Sequence, residues 1–159
     1  MHPSEEVSER IRLRPTAEAD LPFVVELEHD PANTPFVGQW SIGEHKAALT
    51  NPDIGHWIIE SDDDGAPLGY VIALGLTSNK HEIYLKRIVV AHEGRGIGRK
   101  ALRVFHHMAL RELGAGRIRL VVRRNNERAR KFYLREGYKE IGALLKNKNA
   151  IMGLDLENV

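Results

Sequence analysis

Apolar residues recur along the chain with two different spacings, and these spacings alternate. Alternating or clustered apolar residues predict seven strands, which start near positions 11, 56, 68, 82, 117, 138 and 151. Apolar residues three or four apart predict four helices, which span about 20–28, 41–49, 97–113 and 126–136. The order is β-α-α-β-β-β-α-β-α-β-β, with no linker, repeat or low-complexity segment. We therefore expect one α/β (α+β) domain over 1–159, with its core at about 10–157.

The segment 81–102 contains the most informative motif in the sequence. An apolar strand over 83–90 leads into a glycine-rich turn, and a helix follows. The glycines occupy three alternate positions, Gly94, Gly96 and Gly98. Such a turn directs backbone N–H groups, at the positive end of a helix dipole, toward an anion. Because glycine has no Cβ, a phosphate can approach this backbone closely.

Two common phosphate motifs do not fit this turn. The dinucleotide fingerprint needs its third glycine where this chain has Arg99, and the P-loop needs Ser or Thr where it has Ala101. A tight strand-to-helix connection with no bound anion is the simpler alternative.

The turn resembles the acyl-CoA loop of the GNAT N-acetyltransferase superfamily, Gln/Arg-x-x-Gly-x-Gly/Ala. It departs from that pattern at Glu93, where Gln or Arg is usual. A second motif, Asn126 to Tyr133 followed by Gly137-Tyr138, resembles the family's Asn-x-x-Ala-x-x-Phe/Leu-Tyr and Gly-Phe. With the order of elements, the resemblance covers nearly the whole chain. Within the superfamily, the chain most resembles the branch of ribosomal-protein and polyamine acetyltransferases.

This resemblance implies a GNAT fold, a mixed, mostly antiparallel sheet of about seven strands, splayed between strands 4 and 5, with about four helices. It also implies acetyl-CoA as cosubstrate and no metal. The pantetheine arm would pair with strand 4, and the diphosphate would sit on the glycine turn. The implied cofactor-binding residues are Ile88, Val89, Val90, Gly94, Arg95, Gly96, Ile97, Gly98, Arg99, Lys100, Asn126, Arg128 and Tyr133. About two of five cations are expected to touch phosphate, among Arg95, Arg99, Arg128, Arg130 and Lys131.

The implied chemistry is direct attack of an amine on the thioester in a ternary complex. A backbone N–H near Val89 or Val90 would stabilise the oxyanion. The leaving thiolate needs a proton, and Tyr133 is the expected general acid, since a thiol has a pKa of about 8.5 and tyrosine about 10. Tyr133 lies seven residues after Asn126, on the same helix face, and so looks toward the strand ends.

The general base is less clear from the sequence. Relatives often have a glutamate on the fifth strand, where this chain has Val121, or on the central strand, where it has Tyr84. We take Glu82 as the tentative base, acting through water. The alternatives are His81, Glu28, His29 and His56, or a water chain without a single base. Trp40 and Trp57 are further candidates for the substrate pocket, or for the core.

Charge is divided unevenly along the chain. Residues 86–135 contain fifteen Lys/Arg and three Asp/Glu, whereas residues 1–85 contain five Lys/Arg and fifteen Asp/Glu. The basic half suits a polyanionic cofactor, and the acidic half suggests a cationic acceptor, or only a solvated surface. A nucleic-acid partner is not expected, because the chain has no aromatic-rich strand pair and no helix-turn-helix pattern.

Other absences narrow the function further. There is no cysteine, which excludes disulfides, thiolate metal sites and a cysteine-bound acyl intermediate. No histidines have metal-ligand spacing, and the adjacent His106 and His107 point to different helix faces. Without a secretory signal or a membrane-length apolar run, we expect a cytoplasmic protein with no membrane partner.

The predicted function is N-acetylation of a primary amine, from a protein N-terminus, a polyamine or a small amine. The alternative is a non-catalytic acyl-CoA-binding or regulatory module, and a homodimer is left open.

Overall fold

The computed structural model describes residues 10–158. Within them the strands are β1 (Ile11–Pro15), β2 (Ile54–Ser61), β3 (Pro67–Leu74), β4 (Glu82–Val90), β5 (Arg117–Val122), β6 (Lys139–Ala143) and β7 (Ala150–Asp155). The α-helices are α1 (Leu21–His29), α2 (Ile42–Leu49), α3 (Ile97–Arg111) and α4 (Glu127–Arg135). Short 3-10 turns lie at Glu18–Asp20 and Leu156–Asn158. The predicted order of elements is confirmed.

β3, which the apolar pattern extends to Leu76, and α3, which it extends to Leu113, both end two residues early. β3 ends at Leu74, because the next residue, Gly75, takes a positive φ of 86° and turns the chain. α3 ends at Arg111, two residues before Leu113. The apolar residues beyond both ends still pack against the core, so periodicity overestimates the length of each element. None of the helices within 10–158 is long and apolar enough to span a bilayer.

The strands form one seven-stranded sheet in the order β1-β2-β3-β4-β5-β7-β6. Neighbouring strands are antiparallel, except that β4 and β5 run parallel. Parallel neighbours need a crossover connection, and α3 provides it. The predicted mixed, mostly antiparallel sheet is therefore confirmed.

Helices cover both faces of the sheet. On one face, Val24 and Leu27 of α1 pack against Ile58, Tyr70 and Ile72. On the other face, α3 contributes the largest apolar surface, through Ile97, Ala101, Leu102, Phe105 and Ala109. α4 lies on this second face too, where its aromatic residues pack against the same core cluster.

β4 and β5 separate soon after they pair. Their ladder joins only 82–84 of β4 to 117–119 of β5. β4 stays paired with β3 as far as Val90, and β5 stays paired with β7 as far as Val122. From Leu85 onward, the edge of β4 that faces β5 has no ladder partner. The predicted splay between strands 4 and 5 is thus present.

A β-bulge in β4 determines which side chains face which helices. Leu85 and Arg87 pair with adjacent residues of β3, so Lys86 is the extra residue between them. Strict alternation would place Leu85, Arg87 and Val89 on one face. Instead, Leu85 packs in the cluster on the α3 side and Val89 in the cluster on the α1 side. The bulge therefore turns Arg87 toward α1.

Acid is expected to destabilise the fold through a buried histidine on α3. His106 is 3% exposed, and its Nε2 lies 2.8 Å from the Tyr138 hydroxyl oxygen. Burial lowers the pKa of His106 to about 4, against 6.5 for an exposed histidine. Between these values the unfolded chain binds a proton that the folded chain does not. The contribution of His106 is complete above pH 6.5 and is lost as pH falls toward 4, by about 1.4 kcal/mol per pH unit.

Urea unfolding at pH 6.5, 6.0, 5.5 and 5.0 measures this effect above the range where most carboxylates titrate. We expect the His106→Gln variant to show a smaller pH slope than the wild type. The control is His107→Gln, the same substitution at the exposed neighbour on the same helix. Equal slopes in the wild type and His106→Gln would contradict the prediction.

Candidate active site

A cavity of about 280 Å³ lies where β4 and β5 separate. Its side walls are residues 84–89 of β4 and 120–123 at the end of β5. On one face of the sheet it is bounded by α4 and the residue that precedes it, and on the other by residues 36–38 of the α1–α2 loop. The cavity therefore connects the two faces of the sheet.

Tyr133 of α4 lines this cavity. Its ring packs edge-on against Phe132 and Tyr138, with ring centroids 5.2 and 5.3 Å apart. Within residues 10–158, its hydroxyl makes no hydrogen bond. The hydroxyl oxygen is not fully buried. Burial raises the pKa of Tyr133, so the phenol keeps its proton at neutral pH. Since no acceptor among residues 10–158 bonds to it, this hydroxyl can donate its proton to a ligand in the cavity.

Asn126 lines the same cavity and is fixed by capping α4. Its Oδ1 accepts a hydrogen bond from the Ala129 backbone N–H at 3.1 Å. The cap uses the side-chain oxygen, so the side-chain N–H₂ group is left to bind a ligand. Their seven-residue spacing predicts that Asn126 and Tyr133 share one face of α4, and both line this cavity.

The glycine turn leads from β4 into α3. Gly94 and Gly96 have positive φ values of 83° and 74°, which residues with a Cβ rarely adopt. A Cβ placed on either would meet no atom within 4 Å, so the space beside the turn is open. Gly96 is the N-cap of α3, and no acidic residue lies in the first helical turn. The first N–H groups of α3 are thus available to an anion.

The charged residues that line the cavity within the described chain are all cations: Lys86, Arg87 and Arg123. Burial, followed by the charge of Arg87, lowers the pKa of Lys86. Arg123 donates a hydrogen bond to the Pro35 carbonyl at 2.9 Å and so links the end of β5 to the α1–α2 loop. None of the acidic residues within 10–85 lines this cavity.

Comparison with models of protein families matches residues 10–139 to the acetyltransferase (GNAT) domain. This match spans most of the chain, including the glycine turn and α4. The chain belongs to the GNAT acetyltransferase family. It is therefore an acetyl-CoA-dependent N-acetyltransferase, and the resemblance identified from the motifs is confirmed.

Solved structures of GNAT-fold enzymes superpose closely on this chain. Spermidine N-acetyltransferase from Vibrio cholerae in complex with CoA and spermine has a TM-score of 0.80 at 18% identity, covering 92% of this chain and 96% of that one. An acetyltransferase from Thermus thermophilus has a TM-score of 0.76 at 20% identity, over 93% and 98% of the two chains. AAC(6')-Ib in complex with paromomycin and acetyl-CoA has a TM-score of 0.77 at 17% identity, over 92% and 94%. At these identities the likeness establishes the fold. A comparison with curated proteins found no match.

The GNAT cosubstrate acetyl-CoA fits the residues present. The unpaired edge of β4 from Leu85 to Val90 can accept an extended arm as an added strand. The open glycine turn and the first N–H groups of α3 suit a diphosphate. No group of three or more His, Asp or Glu within the described residues could hold a metal ion.

Glutamates already engage several of the cations predicted to bind phosphate. Arg99 Nε lies 3.3 Å from a Glu136 carboxylate oxygen, and Arg128 Nη1 lies 3.0 Å from Glu93. Arg130 is paired with two glutamates in the same way. Glu93, which departs from the family pattern, thus links the glycine turn to α4. A diphosphate would compete with these carboxylates for the arginines, so the backbone of the turn is its more direct partner.

The structure does not bring Glu82 into the cavity with Tyr133. Glu82 sits where β4 and β5 are still paired, and its carboxylate lies 3.3 Å from Arg119 Nη1 and 4.0 Å from Arg117 Nη1. It lines a neighbouring pocket, and Tyr84 lines both that pocket and the cavity. A proton path from the cavity to Glu82 would therefore pass Tyr84.

A buried polar network holds Arg87 in place. The Glu28 carboxylate is fully buried and receives four hydrogen bonds. The donors are Arg87 Nη1 at 2.6 Å, Tyr70 Oη at 2.8 Å, His45 Nε2 at 2.9 Å and the Trp40 backbone N–H at 3.3 Å. The guanidinium of Arg87 also lies 4.8 Å from the centre of the Trp40 ring. Arg87 is thus fixed from two directions.

Two histidines extend this network to Thr16, the residue that follows β1. His45 Nδ1 lies 3.0 Å from His56 Nε2, and His56 Nδ1 lies 2.8 Å from Thr16 Oγ1. If neutral His45 donates its Nε2–H to Glu28, its Nδ1 carries no hydrogen and accepts from His56 Nε2–H. His56 Nδ1 then accepts a hydrogen bond from the Thr16 hydroxyl. Burial, the largest factor, raises the pKa of Glu28, but the hydrogen bonds from His45 and Tyr70 and the charge of Arg87 outweigh it, and the net pKa lies below the usual value. Burial lowers the pKa of His56 to about 4.

Three of the other predicted base candidates do not line the cavity. Glu28 and His56 lie in the buried network rather than at the cavity, and the exposed His29 contacts the Val25 carbonyl within its own helix at 2.8 Å. Trp57 lies in the core on the α3 side, 6.0 Å from Phe105. The cavity cations Lys86 and Arg123 were not predicted as site residues. The one relevant sequence signal concerns Lys86, which lies two residues after Tyr84, the position where relatives have a glutamate.

Proposed function

We propose that this enzyme transfers an acetyl group from acetyl-CoA to a primary amine held in the cavity between β4 and β5, with Tyr133 as the general acid. The main support is the position of the Tyr133 hydroxyl, which lines the cavity without a protein partner in the described residues. The neutral amine nitrogen attacks the thioester carbonyl, which forms the C–N bond and places negative charge on the carbonyl oxygen. The nitrogen of this adduct loses a proton to water, the C–S bond breaks as the C=O bond re-forms, and Tyr133 gives its proton to the leaving sulfur and recovers one from solvent.

The oxyanion formed on the carbonyl needs a hydrogen-bond donor. Backbone N–H groups near Val89 and Val90 belong to the strand whose edge facing β5 has no ladder partner. A donor fixed in a strand needs no reorganisation during the reaction, which is why such groups stabilise oxyanions well. We assign this role to the backbone at Val89 or Val90.

The acceptor must lose a proton before it attacks. Within the described residues no carboxylate or imidazole lines the cavity, so neither type of base can take this proton directly. Lys86 and Arg87 do line it, and nearby positive charge lowers the pKa of an ammonium group. We propose that water accepts this proton, with Glu82 beyond Tyr84 as a further acceptor.

Structural neighbours that act on amines or were solved with them support an amine acceptor. The Vibrio cholerae enzyme acts on spermidine and was solved with spermine, and AAC(6')-Ib was solved with paromomycin. These are amines of very different shape on one fold. For this chain the proposal covers the amine of a protein N-terminus, a polyamine or a small molecule.

The test is thiol release from acetyl-CoA across a panel of amines, with mass spectrometry of the products. The panel includes spermidine, peptides with free N-termini, amino acids and simple alkylamines. We expect release that depends on an acceptor, together with a product 42 mass units heavier than that acceptor. A reaction without an acceptor measures hydrolysis and is the control. Failure to acetylate any amine, by a folded protein that binds CoA, would overturn the proposal.

A further inference from the structure

The three cavity cations lie on the face of the sheet that carries α1 and α2. Arg87 reaches Glu28 of α1, Arg123 reaches Pro35 of the α1–α2 loop, and Lys86 lies 5.8 Å from the Trp40 ring centre. Resting on the function proposed above, we infer that the acceptor amine also carries a carboxylate, which Lys86 and Arg123 bind. This narrows the substrate from amines in general to anionic amines.

The cosubstrate's phosphates do not account for these charges. The glycine turn opens into α3, and α3 and α4 lie on the opposite face of the sheet from α1 and α2. A diphosphate on the first N–H groups of α3 therefore lies on the other side. The thioester would reach the cavity from the α3–α4 face, which leaves the face with Lys86 and Arg123 to the acceptor.

The three cations differ in how well the protein balances their charge. Arg87 is paired with the buried Glu28 carboxylate. Lys86 and Arg123 have no carboxylate partner within the described chain, where their contacts are the Trp40 ring and the Pro35 carbonyl. Two unbalanced cations at one cavity favour an anion there and oppose a second cation.

Partial burial strengthens this preference. Lys86 is half-buried at the bulge of β4, and burying an unpaired charge costs free energy that a bound anion recovers. The lowered pKa of Lys86 has the same cause. A carboxylate on the acceptor would offset both the burial and the repulsion from Arg87. A polyamine would add positive charge to a site that already has an excess of it.

A series of three acceptors of equal chain length isolates the charge. The probes are 4-aminobutyrate, n-butylamine and 1,4-diaminobutane, which present an anionic, a neutral or a cationic end beside the same amine. We expect kcat/KM to fall in that order, by roughly tenfold at each step. Peptides Ser-Asp-Ala and Ser-Lys-Ala, amidated at the C-terminus, repeat the comparison for a polypeptide acceptor and distinguish it from a small molecule.

Variants then test whether Lys86 recognises the charge at the far end of the acceptor. Lys86→Met should lower kcat/KM for the anionic probe roughly tenfold more than for n-butylamine, and so remove the advantage of the anionic probe, and it should leave KM for acetyl-CoA unchanged. Lys86→Arg should retain the preference, and Lys86→Glu should reverse it toward 1,4-diaminobutane. The matched control is Lys139→Met on the exposed strand β6, outside the cavity. Thermal unfolding of each variant verifies the fold.

The outcomes separate this inference from the proposed function. In any series whose members are acetylated, equal or greater activity on the neutral or cationic amine overturns the anionic acceptor and leaves the acetyltransferase function intact. The same holds if Lys86→Met and Lys139→Met behave alike. If no amine of the larger panel is acetylated, the proposed function itself fails.

Discussion

Tyr133→Phe is expected to lower kcat roughly 10²-fold while KM for acetyl-CoA stays nearly constant. The substitution removes only the hydroxyl, which has no hydrogen-bond partner within residues 10–158. The ring contacts with Phe132 and Tyr138 remain, so the cavity keeps its shape. Loss of a proton donor slows breakage of the C–S bond and has little effect on binding. Initial rates with acetyl-CoA varied at saturating acceptor measure both constants.

The matched control is Tyr138→Phe. Tyr138 is 2% exposed, and its hydroxyl is hydrogen-bonded to His106 in the core, so this change should reduce stability while kcat of the folded enzyme is largely retained. Burial also raises the pKa of Tyr133, so the phenol stays protonated up to about pH 10. Any change of rate between pH 6 and 9 should therefore persist in Tyr133→Phe. An unchanged kcat in this variant would remove Tyr133 from the mechanism.

The order of elements was predictable because it depends on short-range patterns. Apolar spacing distinguishes strands from helices, and Ser41 and Asn126 mark helix starts that the structure shows as real caps. Gly94 and Gly96 adopt positive φ values in the turn that the motif predicted. Each of these features is encoded within a few residues, so no knowledge of the tertiary structure was needed.

The place of Arg87 in the cavity lining was not predictable, because it depends on a β-bulge. Alternation along β4 places Arg87 on the face of Leu85, where it would lie in the apolar core under α3. The bulge at Lys86 reverses this, and no local sequence feature marks its position. The acidic half was expected to attract a cationic acceptor or to be only a solvated surface, and its position relative to the cavity was not predicted. Acidic residues are abundant in 1–85, but none of those within 10–85 lines the cavity, and Glu28 is buried and paired with Arg87.

Long-range pairs were also beyond the reach of sequence patterns. Glu28 and Arg87 are 59 positions apart, and Arg123 and Pro35 are 88 positions apart. A buried glutamate on an amphipathic helix resembles a surface residue until its partners are known. Residue type alone suggested Glu28 and His56 as bases. It could not predict that both would be buried in a closed network.

Glu28→Gln is expected to lower the free energy of unfolding at pH 7 by about 3 kcal/mol, because it leaves the buried Arg87 guanidinium without its counter-charge. The Glu28 side chain is 0% exposed and that of Arg87 is 7% exposed, so water cannot replace the lost carboxylate. The amide would also direct N–H₂ toward groups that are themselves donors. Urea unfolding followed by circular dichroism measures the change, and Glu26→Gln, exposed on the same helix, is the control.

A double variant separates the lost charge pair from lost packing. Glu28→Gln with Arg87→Met removes both charges, so it should be more stable than Glu28→Gln alone. The pH dependence provides a second check. Because the pKa of Glu28 in the fold lies below its usual value, its contribution is complete at pH 7 and is lost as pH falls below about 4.3. A Glu28→Gln variant as stable as Glu26→Gln would show that the network does not fix Arg87. The wall of the cavity next to Lys86 would then have to be held by the sheet alone.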